Sequence, residues 1–142
     1  MIIRQAIAFD SKAIQSLLAQ LGYPDLTDEE VALKIVQHEK PGYYILVAEV
    51  DEKVIGFISM HWFELMHWKG PLGRFTSFCI DESFRSKGIG TKLLESGEKF
   101  LTQKGCIKLE VTSNLRRKKT HEFYLRLGYT EDSRRFVKYP VQ

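Results

Sequence analysis

The chain has 142 residues, enough for one domain with a sizeable core, and its apolar share of 44% with 12% aromatics argues against disorder. A formal net charge of +3 admits an acidic ligand but falls short of a nucleic-acid-binding signature. No apolar run reaches the length of a membrane span, and the first residues lack signal-peptide anatomy. Cys79 and Cys106 sit in apolar runs without metal-ligand spacing, so they read as buried, reduced thiols of a cytoplasmic protein. Nothing resembles a linker or repeat, so residues 1–142 are expected to form a single domain.

Residues 1–6 read as a first strand. Asp10 or Ser11 can cap a helix carrying Ile14, Leu17, Leu18 and Leu21, stopped by Gly22 and Pro24. Thr27 with Glu30 three residues on is a capping box for a second helix, which carries Val31, Ile35 and Val36 and ends before Pro41. Residues 43–50 and 54–63 are β-rich runs joined by a short turn, hence a hairpin, and 72–80 is the next strand. After it comes Arg85-Ser86-Lys87-Gly88-Ile89-Gly90-Thr91, then Leu93, Leu94, Gly97, Phe100 and Leu101 at helical spacing. The first turn of that helix is expected to be built from Ser86, Lys87, Gly88 and Gly90. Lys104-Gly105 stops it. Residues 106–111 read as another strand, central by their apolar content; a helix with Thr120, Phe123, Tyr124 and Leu127 follows, closed by Gly128. Residues 129–133 and 136–139 read as closing strands.

A helix N-terminus leaves backbone N–H groups without partners at the positive end of its dipole. Two glycines two residues apart let a bulky anion approach those groups, and Arg85 and Lys87 add full charges. The plainer reading is a tight strand-to-helix turn that merely needs glycine. The spacing is neither that of the P-loop nor G-x-G-x-x-G. Arg85, Gly88 and Gly90 instead resemble the R/Q-x-x-G-x-G/A pyrophosphate loop of the GNAT superfamily of acyl-CoA-dependent N-acetyltransferases. Asn114, a basic pair, and His121-Glu122-Phe123-Tyr124-Leu125-Arg126-Leu127-Gly128-Tyr129 likewise resemble the superfamily's N-x-x-[RK]-x-x-A-H-x-F-Y-x-x-x-G-[FY] run. The two motifs stand in the right order, and the resemblance covers nearly the whole chain. Residues 61–136 are similar to small-molecule acetyltransferases of the aminoalkylphosphonate and aminoglycoside kind.

The resemblance implies an α/β (α+β) fold: a mixed, mostly antiparallel central sheet with helices on both faces, in the order β-α-α-β-β-β-α-β-α-β(-β). It implies acetyl-CoA as cosubstrate, with pantetheine against the backbone of Phe78, Cys79 and Ile80. The pyrophosphate would lie on Arg85, Ser86, Lys87, Gly88, Ile89, Gly90 and Thr91, with Asn114 on the pantetheine arm and Arg117 and His121 near the cofactor. Tyr124 would be the general acid that protonates the departing thiolate. Tyr124 can equally be a packed ring, and Asn114 a helix cap.

Many relatives carry a glutamate base near the positions of Thr76 and Ser77, and this chain has none there. Glu110 is a weak candidate for the base, with Glu64 and His67 behind it. Arg74 and His61 would place positive character near the acceptor, favouring an amine that also bears phosphonate, phosphate or carboxylate. The expected reaction is acetyl transfer to a primary amine of a small molecule by direct attack in a ternary complex. The expected partners are that amine and a homodimer mate, with no nucleic acid, membrane or metal. Rival readings are a protein lysine or N-terminal acetyltransferase, a non-catalytic acyl-CoA-binding module of the same fold, and a nucleic-acid binder using residues 116–119.

Overall fold

The computed structural model describes residues 1–112, 118–132 and 135–141. They form two compact units, Met1–Val111 and Thr112–Gln142. The first holds strands β1 (Ile2–Gln5), β2 (Tyr43–Val50), β3 (Lys53–Phe63), β4 (Leu72–Ile80) and β5 (Lys108–Val111), with helices α1 (Ser11–Leu21), α2 (Asp28–Gln37) and α3 (Ile89–Gln103). The second holds α4 (Lys118–Arg126). The sheet runs β1-β2-β3-β4-β5, antiparallel throughout except for the parallel β4–β5 pair.

Local chemistry accounts for most element boundaries. The Glu30 amide donates to Thr27 Oγ1 and the Thr27 amide to Glu30 Oε1, closing the expected capping box of α2. Asp51 and Glu52 both have positive φ, 49° and 65°, so β2 and β3 meet in a two-residue turn whose twist matches the strands. Helices α1, α3 and α4 end in the same clip: a left-handed glycine (Gly22, Gly105, Gly128), with the next amide bonded back to Leu18, Leu101 or Tyr124.

Strand alternation divides the core. Ile45, Val47, Phe57 and Cys79 face Ile14 and Leu17 of α1 and Val31 and Ile35 of α2. Helix α3 lies on the opposite face, where Phe100 stacks on Tyr44. A Cβ added to its Gly97 would stand 2.8 Å from the Phe75 ring and 3.4 Å from Met60 Sδ, so the missing side chain lets the helix settle on β3 and β4. Each such side chain, fully buried, stabilises the fold by about 1.5–3 kcal/mol.

Several expectations need correction. Asp10 occupies the N-cap position of α1 without capping it: its carboxylate accepts from both Nη atoms of Arg4 and from the Ile7 amide, while Ser11 Oγ donates to Asp28. A full charge nearby outcompetes the helix amides. Val36 is largely exposed, because α2 buries only Val31 and Ile35. Among the described residues strand β5 is an edge and not central, with β4 as its neighbour in the sheet. It would need a further strand outside it, and no described residue after α4 belongs to one. Phe136 and Tyr139 are 93% and 76% exposed, so that β-rich composition buries little.

Asp10 is almost fully buried and bonded to Arg4, which also bonds Glu49. Burial would raise its pKa, but the Arg4 hydrogen bonds, the Ile7 amide and the Arg4 charge together hold it below the ordinary value. A depressed carboxylate contributes stability above its unfolded pKa, about 3.9, and loses it as pH falls through the lower folded value. Arg4→Met, which strands a buried charge, should cost about 2–3 kcal/mol at pH 7. Urea titrations from pH 7 to pH 3 should show this gap narrowing at the acid end.

Candidate active site

The site begins where β4 outruns β5. The parallel ladder pairs Leu72, Gly73, Arg74 and Phe75 with Lys108, Leu109, Glu110 and Val111, and there it stops. β4 continues to Ile80, paired on its other side with β3. The register with β3 slips at the same place: Ser59 opposes Ser77, Met60 opposes Phe75, and Thr76 is the extra residue of a bulge. Thr76 Oγ1 lies 2.7 Å from Ser59 Oγ, so this pair of hydroxyls stands at the strand position considered for an acid.

Beyond Ile80 the chain makes a short 3₁₀ turn at Glu82–Phe84 and then enters α3. Asp81 closes that turn by accepting from the Ser83 amide and hydroxyl. These bonds, the hydroxyl's first, hold its carboxyl below the usual value. The Gln20 side chain of α1 accepts from the Glu82 amide at 3.0 Å, tying the turn to the first helix. Helix α3 starts at Ile89, later than expected: Ser86 and Lys87 precede it, and Gly88 is its N-cap in the left-handed region at φ 78°. Ser86 is left-handed too, at φ 63°. No side chain caps α3 and its first turn holds no acid, so the end presents backbone N–H groups. Ile89 turns inward to the core, while Gly90 and Thr91 are partly exposed on the first turn.

Arg85 Nε donates to the Ile80 carbonyl at 3.0 Å, fastening the loop to the end of β4. Lys87 Nζ lies 5.3 Å from the centre of the Phe84 ring. Both cations thus make their described contacts with the residues that lead into the loop. Phe78 is half-buried, and Cys79 and Ile80 are buried.

At the other end of the gap, on the sheet face away from α3, Arg74 donates through Nε and Nη2 to Glu110 Oε1. This pairing offsets the positive character expected of Arg74 and occupies one oxygen of the candidate base. Glu64 and His67, the other candidates, are exposed. A column of rings lines the same face. Tyr43 stacks on His61 with centres 4.3 Å apart, His61 on Phe63 at 4.8 Å, and the Arg74 guanidinium sits over Phe63. The sequence reading missed this column and the Ser59–Thr76 pair. Period-two spacing of His61 and Phe63 was the available signal for the first; a bulge leaves none for the second.

In the second unit Tyr124 is buried, 7% exposed, with its ring edge-on to Phe123 and Tyr129 at 5.4 and 5.6 Å. His121, on the same helix, is half-buried. Asn114 and Arg117 lie outside the described residues.

A strand that outruns its parallel neighbour and leads into an uncapped, glycine-bearing helix N-terminus is the arrangement that the resemblance to the acyl-CoA-dependent N-acetyltransferases implied. The chain matches the acetyltransferase (GNAT) family over residues 11–129 and belongs to it. It is thus an acetyl-CoA-dependent acetyltransferase. It is 27% identical over 141 residues to an aminoalkylphosphonate N-acetyltransferase of Salmonella typhimurium, covering 96% of this chain and 89% of that one. It is 28% identical to a thialysine N-epsilon-acetyltransferase of Bos taurus, covering 89% and 82%. Aminoglycoside N-acetyltransferase AAC(6')-Iy, solved in complex with CoA, superposes with a TM-score of 0.83 at 19% identity, over 99% of this chain and 94% of that one.

Gly88 tests the loop geometry. A Cβ there would meet nothing within 4 Å, so the cost of Gly88→Val is conformational and should reach about 1–2 kcal/mol. Denaturant unfolding of the variant checks it; an unchanged midpoint would mean that the positive φ is not required.

Proposed function

We propose that this protein transfers an acetyl group from acetyl-CoA to the primary amine of a small molecule, by direct attack within a ternary complex. The end of the described β4–β5 ladder, with β4 running on into the uncapped start of α3, carries the reading, because an extended strand leading to exposed helix amides suits an amide-bearing pantetheine arm that ends in a pyrophosphate. The backbone from Phe78 to Ile80 would align that arm and polarise the thioester carbonyl. Residues 85–91 would hold the pyrophosphate, with charge-assisted bonds contributing about 1.5–3 kcal/mol each. Asn114 would bond the pantetheine arm, and Arg117 and His121 would lie near the donor. That the family match runs through both units supports a single catalytic domain.

Neither cysteine favours an acetyl-enzyme intermediate. Cys79 is buried, and the Cys106 thiol is pushed above its ordinary pKa, first by burial and then by the charge of Glu64. This supports direct attack. The amine nitrogen bonds to the carbonyl carbon, the C–S bond breaks, the amine gives up a proton, and the thiolate takes one, in this proposal from Tyr124. The Arg74 pair weighs against Glu110 as the proton acceptor.

The names of the relatives support small amines, including amino acids and aminophosphonates, over protein substrates. The reduced cysteines support a cytoplasmic location; no helix among the described residues is long and apolar enough to cross a membrane. A screen for thiol release with aminophosphonates, polyamines, amino sugars and lysine peptides tests the reading. Transfer to peptides alone would move the assignment to protein modification, and no release with any amine would reduce it to acyl-CoA binding.

Two variants test the residue roles. Gly90→Val should weaken acetyl-CoA binding at least tenfold, about 1.4 kcal/mol, in a protein that still folds. Tyr124→Phe should lower kcat by about 10²–10⁴-fold while acetyl-CoA affinity changes less than threefold, since the proton is needed only as the thiolate leaves. A tyrosine that merely packs predicts the reverse: lower stability, by about 1 kcal/mol, with turnover nearly unchanged.

A further inference from the structure

Acetyl transfer as proposed above requires the amine to lose a proton, and the strand position that the resemblance marked for an acid holds the Ser59–Thr76 hydroxyl pair instead. One imidazole stands next to that place. His61 Nδ1 lies 2.8 Å from the Gly42 carbonyl oxygen. A carbonyl oxygen only accepts, so Nδ1 carries the hydrogen, and Nε2 of the neutral ring keeps its lone pair. Nε2 has no hydrogen-bond partner among the described residues, although the ring is half-buried. Tyr43 and Phe63 clamp the ring from both sides at interplanar angles of 14° and 23°. The tautomer and the ring plane are both fixed, and the basic atom is left uncommitted.

Position makes that atom useful. His61 opposes Arg74, whose partner Glu110 belongs to the next-to-last rung of the β4–β5 ladder. The imidazole therefore stands within a rung of the opening proposed for the thioester. At that rung α3 closes the opposite face, where Met60 and Phe75 are fully buried against Gly97. With α3 packed on that face, the proposal brings the amine in from the face that His61 occupies.

We propose that His61 Nε2 is the catalytic base that receives the amine proton, directly or through one water, as the C–N bond forms and the C–S bond breaks. This assignment rests on the function proposed above. The ionisable groups around it are Tyr43 on β2, His38 at the end of α2, edge-on to Tyr43, and Arg74 on β4, with Glu110 of β5 behind Arg74. Helix α1 carries one titratable side chain, Lys12, which is exposed.

The test compares the full-length wild type, His61→Asn and His61→Gln across pH, with an alkylamine acceptor and with a weakly basic amine that is already neutral at pH 7. The Asn side chain can still donate to the Gly42 carbonyl, and Gln places its amide nearer Nε2; neither supplies a base. Both variants should lose about 10²-fold or more in kcat/KM for the alkylamine and much less for the weakly basic amine. The acidic limb of the rate profile should flatten, added imidazole should restore turnover, and acetyl-CoA affinity should hold. Equal losses for the two amines, or alkylamine turnover within threefold of wild type, would overturn the assignment while leaving the proposed reaction standing. A wild type that binds acetyl-CoA yet acetylates no amine would remove the reaction and, with it, this role for His61.

Discussion

Four rungs of parallel pairing, ending at Phe75 and Val111, set the geometry on which the rest of this molecule depends. A parallel pair needs a crossover, and α3 supplies it, so the helix whose N-terminus is proposed to hold the donor is the same element that connects the two paired strands. Beyond that rung β4 runs on to Ile80, and the proposed gap lies along this extension. The bulge at Thr76 bends β4 where the pairing stops, since an extra residue locally increases twist. Divergence and bulge thus place a change of direction and a pair of hydroxyls in the same few residues.

Keeping that gap in shape requires α3 to press closely on the sheet. Gly56, Gly73 and Gly97 allow it: a Cβ on each would come within 2.5, 2.9 and 2.8 Å of Ile80, Leu101 and Phe75 respectively. The contact spans the helix from Leu93 to Leu101, both fully buried. A dense interface of this kind does not yield to small forces. The loop at its head differs: Ser86 and Gly88 hold left-handed conformations in an exposed segment fastened by Arg85 to Ile80. A rigid wall therefore carries a shaped, backbone-lined mouth.

The sequence made the local features of this design readable. The Thr27–Glu30 box and the Lys104-Gly105 stop each state their chemistry within a few residues, and the structure forms the cap and the helix end they implied. What depends on distant partners was not readable. Asp10 has the chemistry of a helix cap, but Arg4 draws its carboxylate away. Arg74 looked like a free positive charge until β5 brought Glu110 beside it, thirty-six residues along the chain. Residues 136–139 have the composition of a strand and remain exposed, because composition supplies a tendency while a ladder requires a partner edge. The start of α3 was misplaced by about one turn for a related reason: glycine spacing marks a tight turn without saying which glycine caps it.

The two ends of the site are built from different materials, and this separates affinity from selectivity. The donor end, as proposed, would consist mainly of main-chain groups: β4 beyond the ladder, the uncapped amides of α3 and the left-handed glycine at its start. Backbone groups suit a ligand that never changes, because their positions are fixed by the fold and survive most substitutions nearby. The acceptor end, as proposed, would consist of side chains from four strands: Tyr43, the His61–Phe63 pair, Arg74 and Glu110. Each can be exchanged without disturbing the ladder that carries it, since these residues project from one sheet face and their neighbours hold the core on the other. Pairing Arg74 with Glu110 adds a further setting. An acceptor's anion would have to compete with Glu110 for the guanidinium, whereas a second ammonium group would compete with Arg74 for the carboxylate. The same ion pair can thus admit either charge type at the cost of one broken contact, and selectivity would turn on which replacement bond is better formed in the ternary complex.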